Sequence, residues 1–348
     1  MGSVMQRSFG FLPDGREADL FELSLDDQFR VTVSNYGASL LGVICPDQDG
    51  DLADVVLGCE TVAEQARQCG YLGAAIGRVA GRISNGRINL DGQSYALSTN
   101  EGRHHLHGGE SGFSHRLWRA EILEEGRCGV AFSITSEDGD QGFPGRLDAR
   151  LTYELVGPDT LALTFHAESS SPTPFNPTSH AYFNLEGHDA GPIAEHWLQI
   201  FAQHQTPTGA ELIPTGLIEP VAGTPYDFSG GKAVATGWEA LERGYDRNFV
   251  LDMPPGRVRK AAVVTAPRSG RKLTVATDRP CIHLYTGGWL DVAGGKGDAH
   301  YGPFGGLSLE AQGFPDALNH SGFPSEVLVP SQPFKSQTIF QFETEKTP

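Results

Sequence analysis

The chain has 348 residues, 39% of them hydrophobic, enough for one large β domain or two ordinary ones with a sizeable core. Its formal net charge of −17 argues against nucleic acid, anionic membrane surfaces and highly phosphorylated substrates, which need cationic patches. A neutral polar small molecule fits better, and 44 glycines with 22 prolines suit many short strands joined by turns.

The N-terminal stretch, Met1 to Arg7, lacks the apolar core of a signal peptide and reads as tag-derived or disordered. Strands are predicted at Leu20–Ser24 and Phe29–Val33, then from Ala38 to Cys45 and over Asp54–Gly58; Glu60–Gln68 reads as a helix. Arg87–Leu90 and Gln93–Leu97 flank Asp91-Gly92, a strong hairpin signal because both turn positions need positive φ. A further segment lies at Leu117–Ala120, and from Ala131 to Glu168 the pattern is a β meander. Leu151, Tyr153 and Leu155 are expected on one face, and Leu161, Leu163 and Phe165 on another.

Later strands are predicted at Trp197–Phe201, Val258–Ala266, Leu273–Thr277, Cys281–Tyr285, Val327–Pro330 and Gln337–Phe342. A short helix is expected around Trp238–Arg243, stopped by Gly244. In Gly305–Asp316, Leu307 and Leu309 alternate with Ser308 and Glu310, the mark of a half-buried strand, before Phe314-Pro315-Asp316 makes a turn.

No repeat or linker interrupts this order, and no run approaches the roughly 20 apolar residues of a spanning helix. One domain over residues 1–348, all-β and built as a sandwich or barrel, is the expected organisation. Five cysteines (Cys45, Cys59, Cys69, Cys128, Cys281) without a C-x-x-C pair point to a reduced, cytoplasmic protein; separately, a monomer or weak homodimer is expected.

Arg82, His107, His180, Asp246 and Glu310 stand in stretches punctuated by glycine, proline or a strand end. Together they offer an acid–base set, since His and Glu are tuned toward neutral pH by burial. Singly, each has a plain structural reading: a turn histidine, a strand histidine, a surface ion pair, a turn or cap aspartate, a solvated strand-end glutamate.

The local sequences, in order, add more. Gly77-Arg78-Val79-Ala80-Gly81-Arg82-Ile83, Leu106-His107-Gly108-Gly109, His180-Ala181-Tyr182-Phe183-Asn184-Leu185, Tyr245-Asp246, Leu284-Tyr285-Thr286-Gly287 and Leu309-Glu310-Ala311-Gln312-Gly313-Phe314-Pro315-Asp316-Ala317 together resemble the aldose 1-epimerase family, the galactose mutarotases. The resemblance covers nearly the whole chain. It implies a large antiparallel β-sandwich of the supersandwich type and interconversion of α and β anomers of free aldoses, with no metal and no other cofactor.

Carried over by motif, Glu310 matches the general base, His180 the general acid and His107 the second active-site histidine. Arg82 and Asp246 match sugar-contacting positions, and His283 is added to them. Three residues depart from the common pattern: Gly81 and Gly288 stand where Asn is frequent, and His283 where Gln is common. They bear on which sugar is preferred. Trp289, Phe304 and Phe314 are candidates to pack on the sugar's apolar face.

Three rivals are distinguishable. His105-x-His107 with Glu110 has the alternate spacing of a cupin-like metal site, although Gly108-Gly109 breaks the strand at once. A non-catalytic sugar-binding or sensing protein, or a sugar-phosphate epimerase, would use the same scaffold.

Overall fold

The structure, a computed structural model, describes residues 2–68, 70–252 and 254–345. Three antiparallel sheets carry it. A five-stranded sheet runs in chain order through Ser3–Phe11, Glu17–Ser24, Arg30–Ser34, Ser39–Pro46 and Leu52–Asp54. A nine-stranded sheet has the Cys128–Ser136, Leu147–Gly157 and Thr160–Ser169 meander on one side, and Phe334–Thr344 then joins it to Arg271–Thr277. A six-stranded sheet places Leu307–Gln312 beside Cys281–Tyr285, and that strand beside Asp246–Val250.

All three sheets feed one apolar core. Phe21, Val33 and Leu40 meet Phe132, Tyr153 and Phe165, and the same cluster reaches Phe249, Leu284 and Leu309. This is the expected all-β sandwich: each sheet is amphipathic with period two and buries one face against another. The Asp91-Gly92 hairpin forms as read, with φ of 51° and 80° at its two turn residues. The helix is Val62–Arg67, opened by a capping box in which Thr61 accepts from the Glu64 amide and the Glu64 carboxylate takes the Thr61 N–H.

Five expectations need correction. Residues 3–7 are not outside the fold: Ser3–Phe11 is a strand paired with Glu17–Ser24. The Leu151, Tyr153, Leu155 row and the Leu161, Leu163, Phe165 row lie on the same face, because the hairpin register sets Leu151 opposite Phe165 and Tyr153 opposite Leu163. The Asp54–Gly58 strand is only Leu52–Asp54. There the Asp54 carboxylate accepts from the amides of Val43 and Val56, taking the place of ladder bonds.

The helix expected at Trp238–Arg243 is a single 3₁₀ turn, Trp238–Ala240. Here Trp238 stacks on Phe304 at 4.2 Å between ring centroids. The Leu307–Gln312 strand is buried on both faces, not half-buried.

Arg78, 2% exposed, ties the loops behind the site: it donates to Ser136 Oγ, Thr173 Oγ1 and the carbonyls of Ser136, Glu137 and Pro144, each at 2.9 Å. Cys45, Cys59, Cys128 and Cys281 are buried free thiols, and Cys69 lies outside the described residues. No helix among the described residues is long and apolar enough to cross a membrane.

Two buried histidines make stability pH-dependent. Burial pushes the pKa of His105 and of His196 down to about 4, against an ordinary value near 6.5. The unfolded chain therefore takes up these protons first as pH falls. Stability from both is fully present above about pH 6.5 and is lost on acidification toward pH 4. The urea midpoint is expected to drop between pH 7.5 and pH 5, and to drop less in His196→Gln. An equal drop in that variant would contradict the assignment.

Candidate active site

Period two and register assemble the site. Asp246, Tyr285 and Ser308 are directly opposite one another on three adjacent strands, as are Asn248, His283 and Glu310 in the next row. Residues opposite or two apart in such a ladder share a face, so these six form one polar wall. Between them Phe249, Ile282, Leu284 and Leu309 turn the other way, into the core. A carboxylate on a central strand backed by packed apolar side chains is held in one geometry.

The two other histidines come from loops pinned to that wall. The His180 amide donates to Ala74 O at 2.9 Å and its carbonyl accepts from Gly73 at 3.1 Å. Two residues on, Tyr182–Phe183 pairs with Leu307–Ser308. His107 and Gly81 bind one another twice: the His107 amide donates to Gly81 O, and His107 Nδ1 accepts the Gly81 N–H, both at 3.2 Å. The next residue has to be glycine. Gly108 has φ +89°, and a Cβ there would lie 1.8 Å from Gly77 O. That requirement explains the His-Gly-Gly sequence without recourse to a metal.

All six predicted site residues line one cavity of about 390 Å³: Arg82, His107, His180, Asp246, His283 and Glu310. At its floor Glu310 and His180 are 2% and 4% exposed, with His180 Nε2 3.7 Å from Glu310 Oε1. Glu310 Oε2 has no hydrogen-bond partner among the described residues. Glu310 lines the cavity, and Oε2 is its buried, uncommitted acceptor.

His107 stands 5.3 Å from His180, ring centroid to centroid and edge to face. Burial, reinforced by the neighbouring His180, Arg82 and His283, pushes its pKa well below the usual histidine range. His107 is therefore neutral. With Nδ1 occupied as an acceptor, its proton sits on Nε2, which makes it a donor to the cavity.

Along the side wall, Arg82 grips Glu101 through two bonds of 2.6 and 2.8 Å, and its remaining nitrogen lies 3.8 Å from Asp246. Asp246 Oδ1 is 2.8 Å from His283 Nε2. Burial alone would raise the Asp246 pKa, but the His283 hydrogen bond and the charges of His283, Arg82 and Arg247 outweigh it and hold the carboxyl below its ordinary value. The chain Glu101–Arg82–Asp246–His283 thus fixes its members and keeps Asp246 an acceptor.

The sequence reading missed Tyr71, Glu101, Tyr182, Leu212, Tyr285 and Gln312 as lining residues. Tyr285 and Gln312 sit two residues from His283 and Glu310, so strand alternation alone would have found them. Tyr71 and Leu212 come from loops with positive φ and carry no such signal. Of the three aromatic candidates only Trp289 lines the cavity; Phe304 packs on Trp238, and Phe314 on Phe323. His105 does not join His107, since its Nδ1 is 2.7 Å from Ser98 O and its ring packs on Phe143.

The three departures also find their places. Gly81, at φ +77°, lines the cavity, and among the described residues only Pro315 is near the position of a Cβ. His283 uses Nε2 on Asp246. At Gly288 a Cβ would lie 1.9 Å from Arg243 O, so no side chain fits in this loop arrangement.

The family model described as aldose 1-epimerase matches residues 19–341. The galactose mutarotase of Sus scrofa is 39% identical over 347 residues, spanning 98% of this chain and 99% of its own. The aldose 1-epimerase of Escherichia coli K12 is 35% identical over 340 residues, spanning 96% and 97%. Among solved structures, an aldose epimerase homologue from C. elegans superposes with a TM-score of 0.87 at 28% identity, covering 99% of this chain and 100% of that one. Matched by the family model over most of its length and by relatives end to end, the chain belongs to the aldose 1-epimerase family.

Proposed function

We propose that the protein is a mutarotase that interconverts the α and β anomers of a free aldose such as galactose or glucose, with Glu310 as base and His180 as acid. The observation that carries this is the buried pair at the cavity floor, His180 Nε2 3.7 Å from Glu310 Oε1, beside a second carboxylate oxygen that lacks a partner among the described residues. Glu310 as carboxylate takes the proton of the anomeric hydroxyl while His180, as imidazolium, gives one to the ring oxygen. The C1–O5 bond breaks to leave an aldehyde and a C5 hydroxyl. After rotation about C1–C2 the C5 hydroxyl attacks the other carbonyl face, returning its proton to His180 while Glu310 protonates the new anomeric oxygen. Both groups end as they began.

The remaining residues hold the sugar. Neutral His107 donates from Nε2, Arg82 offers a further N–H, Asp246 accepts from a hydroxyl, and His283, its Nε2 committed to Asp246, holds that carboxylate in place. The sugar-phosphate reading is not favoured: among the described lining residues Arg82 is the one arginine or lysine, and Glu101 already occupies its fork. One domain spanning the chain is part of the same proposal, supported by a core that runs from Phe21 to Phe342. So are a cytoplasmic location and a monomeric or weakly dimeric state, the former supported by the free thiols.

Polarimetry on freshly dissolved α-D-galactose and α-D-glucose tests the function. The purified chain is expected to speed the approach to anomeric equilibrium for at least one of them. Binding of either sugar with no acceleration of its mutarotation would favour a non-catalytic sugar-binding protein.

A further inference from the structure

The nine-stranded sheet carries a second hollow, far from the catalytic strands in its make-up. It is an open groove of about 670 Å³ that shares no lining residue with the catalytic cavity among the described residues. Register builds its floor. Arg119, Ser133, Arg150 and His166 are directly opposite one another on four adjacent strands, of which Arg119–Ile122 is the outermost. Their chain neighbours Phe132, Leu151 and Phe165 turn into the core, so this row faces outward. Arg16 and Arg116, from turns outside the sheet, line the groove as well.

The charge here runs against that of the molecule. The chain has 43 acidic and 26 basic side chains, yet in the groove Arg16, Arg116, Arg119 and Arg150 face only the carboxylates of Asp148 and Glu168. Three of the arginines have an acid beside them: Arg16 has Asp14 at 2.6 Å, Arg116 has Asp140 at 2.6 Å, and Arg150 has Glu121 at 3.0 Å. The Arg150–Glu121 pair is exposed, and such pairs are weak enough for a ligand to redirect the guanidinium at small cost. The side chains of Arg119, His166 and Glu168 make no hydrogen bond or ion pair among the described residues.

The spacing selects a ligand. Arg119 and Arg150 flank Ser133 from the two neighbouring strands, so their backbones are about 10 Å apart. Two arginine side chains reaching inward across that gap meet over the Ser133 hydroxyl. An oxyanion placed there takes N–H bonds from both guanidiniums and the O–H of Ser133, the donor fork that suits phosphate. One strand beyond Arg150, His166 and Glu168 share the same outward face. Glu168 is an acceptor, which repels a bare anion and receives a hydroxyl. The groove thus asks for a phosphate at one end and hydroxyls at the other.

We propose that this groove binds a phosphorylated sugar, with the phosphate over Ser133 between Arg119 and Arg150 and a sugar hydroxyl on Glu168. The site stands apart from Glu310 and His180 and does not rest on the mutarotase reading. The acidic balance of the whole chain is no obstacle to it, since the cations are gathered by strand register and not by sequence.

The probe is α-D-glucose 1-phosphate, whose blocked anomeric position keeps it from ring opening. Calorimetry at low salt measures its Kd and that of inorganic phosphate on the full chain, in the wild type, Arg119→Ala, Glu168→Ala and Arg82→Ala. The sugar phosphate is expected to bind the wild type about fivefold more tightly than inorganic phosphate, and Arg119→Ala to raise its Kd about tenfold, the scale of one charge-assisted hydrogen bond. In Glu168→Ala the preference over inorganic phosphate should vanish, and Arg82→Ala should change nothing. No binding by the wild type would overturn the proposal. So would a Kd that follows Arg82→Ala and ignores Arg119→Ala, which places the ligand in the catalytic cavity. Equal affinity for the two probes would reduce the groove to a contact for any anion and overturn it too. Arg119 and Glu168 are exposed, so both variants keep the fold.

Discussion

Glu310→Gln is expected to lower kcat for anomer exchange by about 10³- to 10⁴-fold, the upper part of the range for a positioned general base. Gln keeps the shape of the side chain and removes the acceptor that takes the anomeric proton. The setting of Glu310 sharpens the expectation. It is 2% exposed on a strand whose Leu309 shares the core with Leu284, so no solvent-borne base is placed to substitute for it. Because Glu310 Oε2 makes no hydrogen bond among the described residues, the substitution severs none of their contacts there. The loss should therefore fall on kcat, with sugar affinity changed much less. Polarimetry for the rate and calorimetry for the affinity separate the two; parallel losses in both would recast Glu310 as a binding residue.

His180→Asn is the second large effect, expected to cost about 10²- to 10³-fold in kcat through loss of the acid that protonates the ring oxygen. His107 is a poor replacement, since burial and its cationic neighbours keep it neutral and commit it to donating from Nε2. The backbone bonds of His180 to Ala74 and Gly73 survive the substitution, so the loop should keep its place. A small loss in His180→Asn with a large one in His107→Asn would exchange the roles of the two histidines.

How much of this was legible in the sequence depended on what each element required of its own residues. The polar wall was readable at Glu310, because alternation in Leu307–Glu310 puts it on the face opposite the leucines. The same rule at Cys281–Tyr285 reaches His283. That both faces of Leu307–Gln312 are buried was not readable: alternation tells which residues share a face, and nothing about the loops that cover it. His107, His180 and Arg82 stood out only as an ordered set of motifs, since their approach depends on contacts such as Gly81 with His107 between segments distant in sequence.

The N-terminal strand escaped notice for a related reason. Residues 3–8 are mostly exposed, so Ser3–Phe11 has little apolar alternation, and its strand form rests on the ladder offered by Glu17–Ser24. The 3₁₀ turn at Trp238–Ala240 shows the reverse, a local helical signal overridden by the Trp238–Phe304 stack. Gly81 and Gly288 were visible as departures, but their consequences were not. One opens the cavity wall and the other admits the Arg243 backbone behind Trp289.

The central claim is that Glu310 and His180 perform anomer exchange in this cavity. Its most direct test follows the optical rotation of freshly dissolved α-D-galactose with equal amounts of wild type and Glu310→Gln, with galactose binding confirmed on both by calorimetry. The account predicts rapid decay to equilibrium with the wild type, and decay at nearly the spontaneous rate with a variant that still binds the sugar. Wild-type acceleration that persists in Glu310→Gln would contradict it.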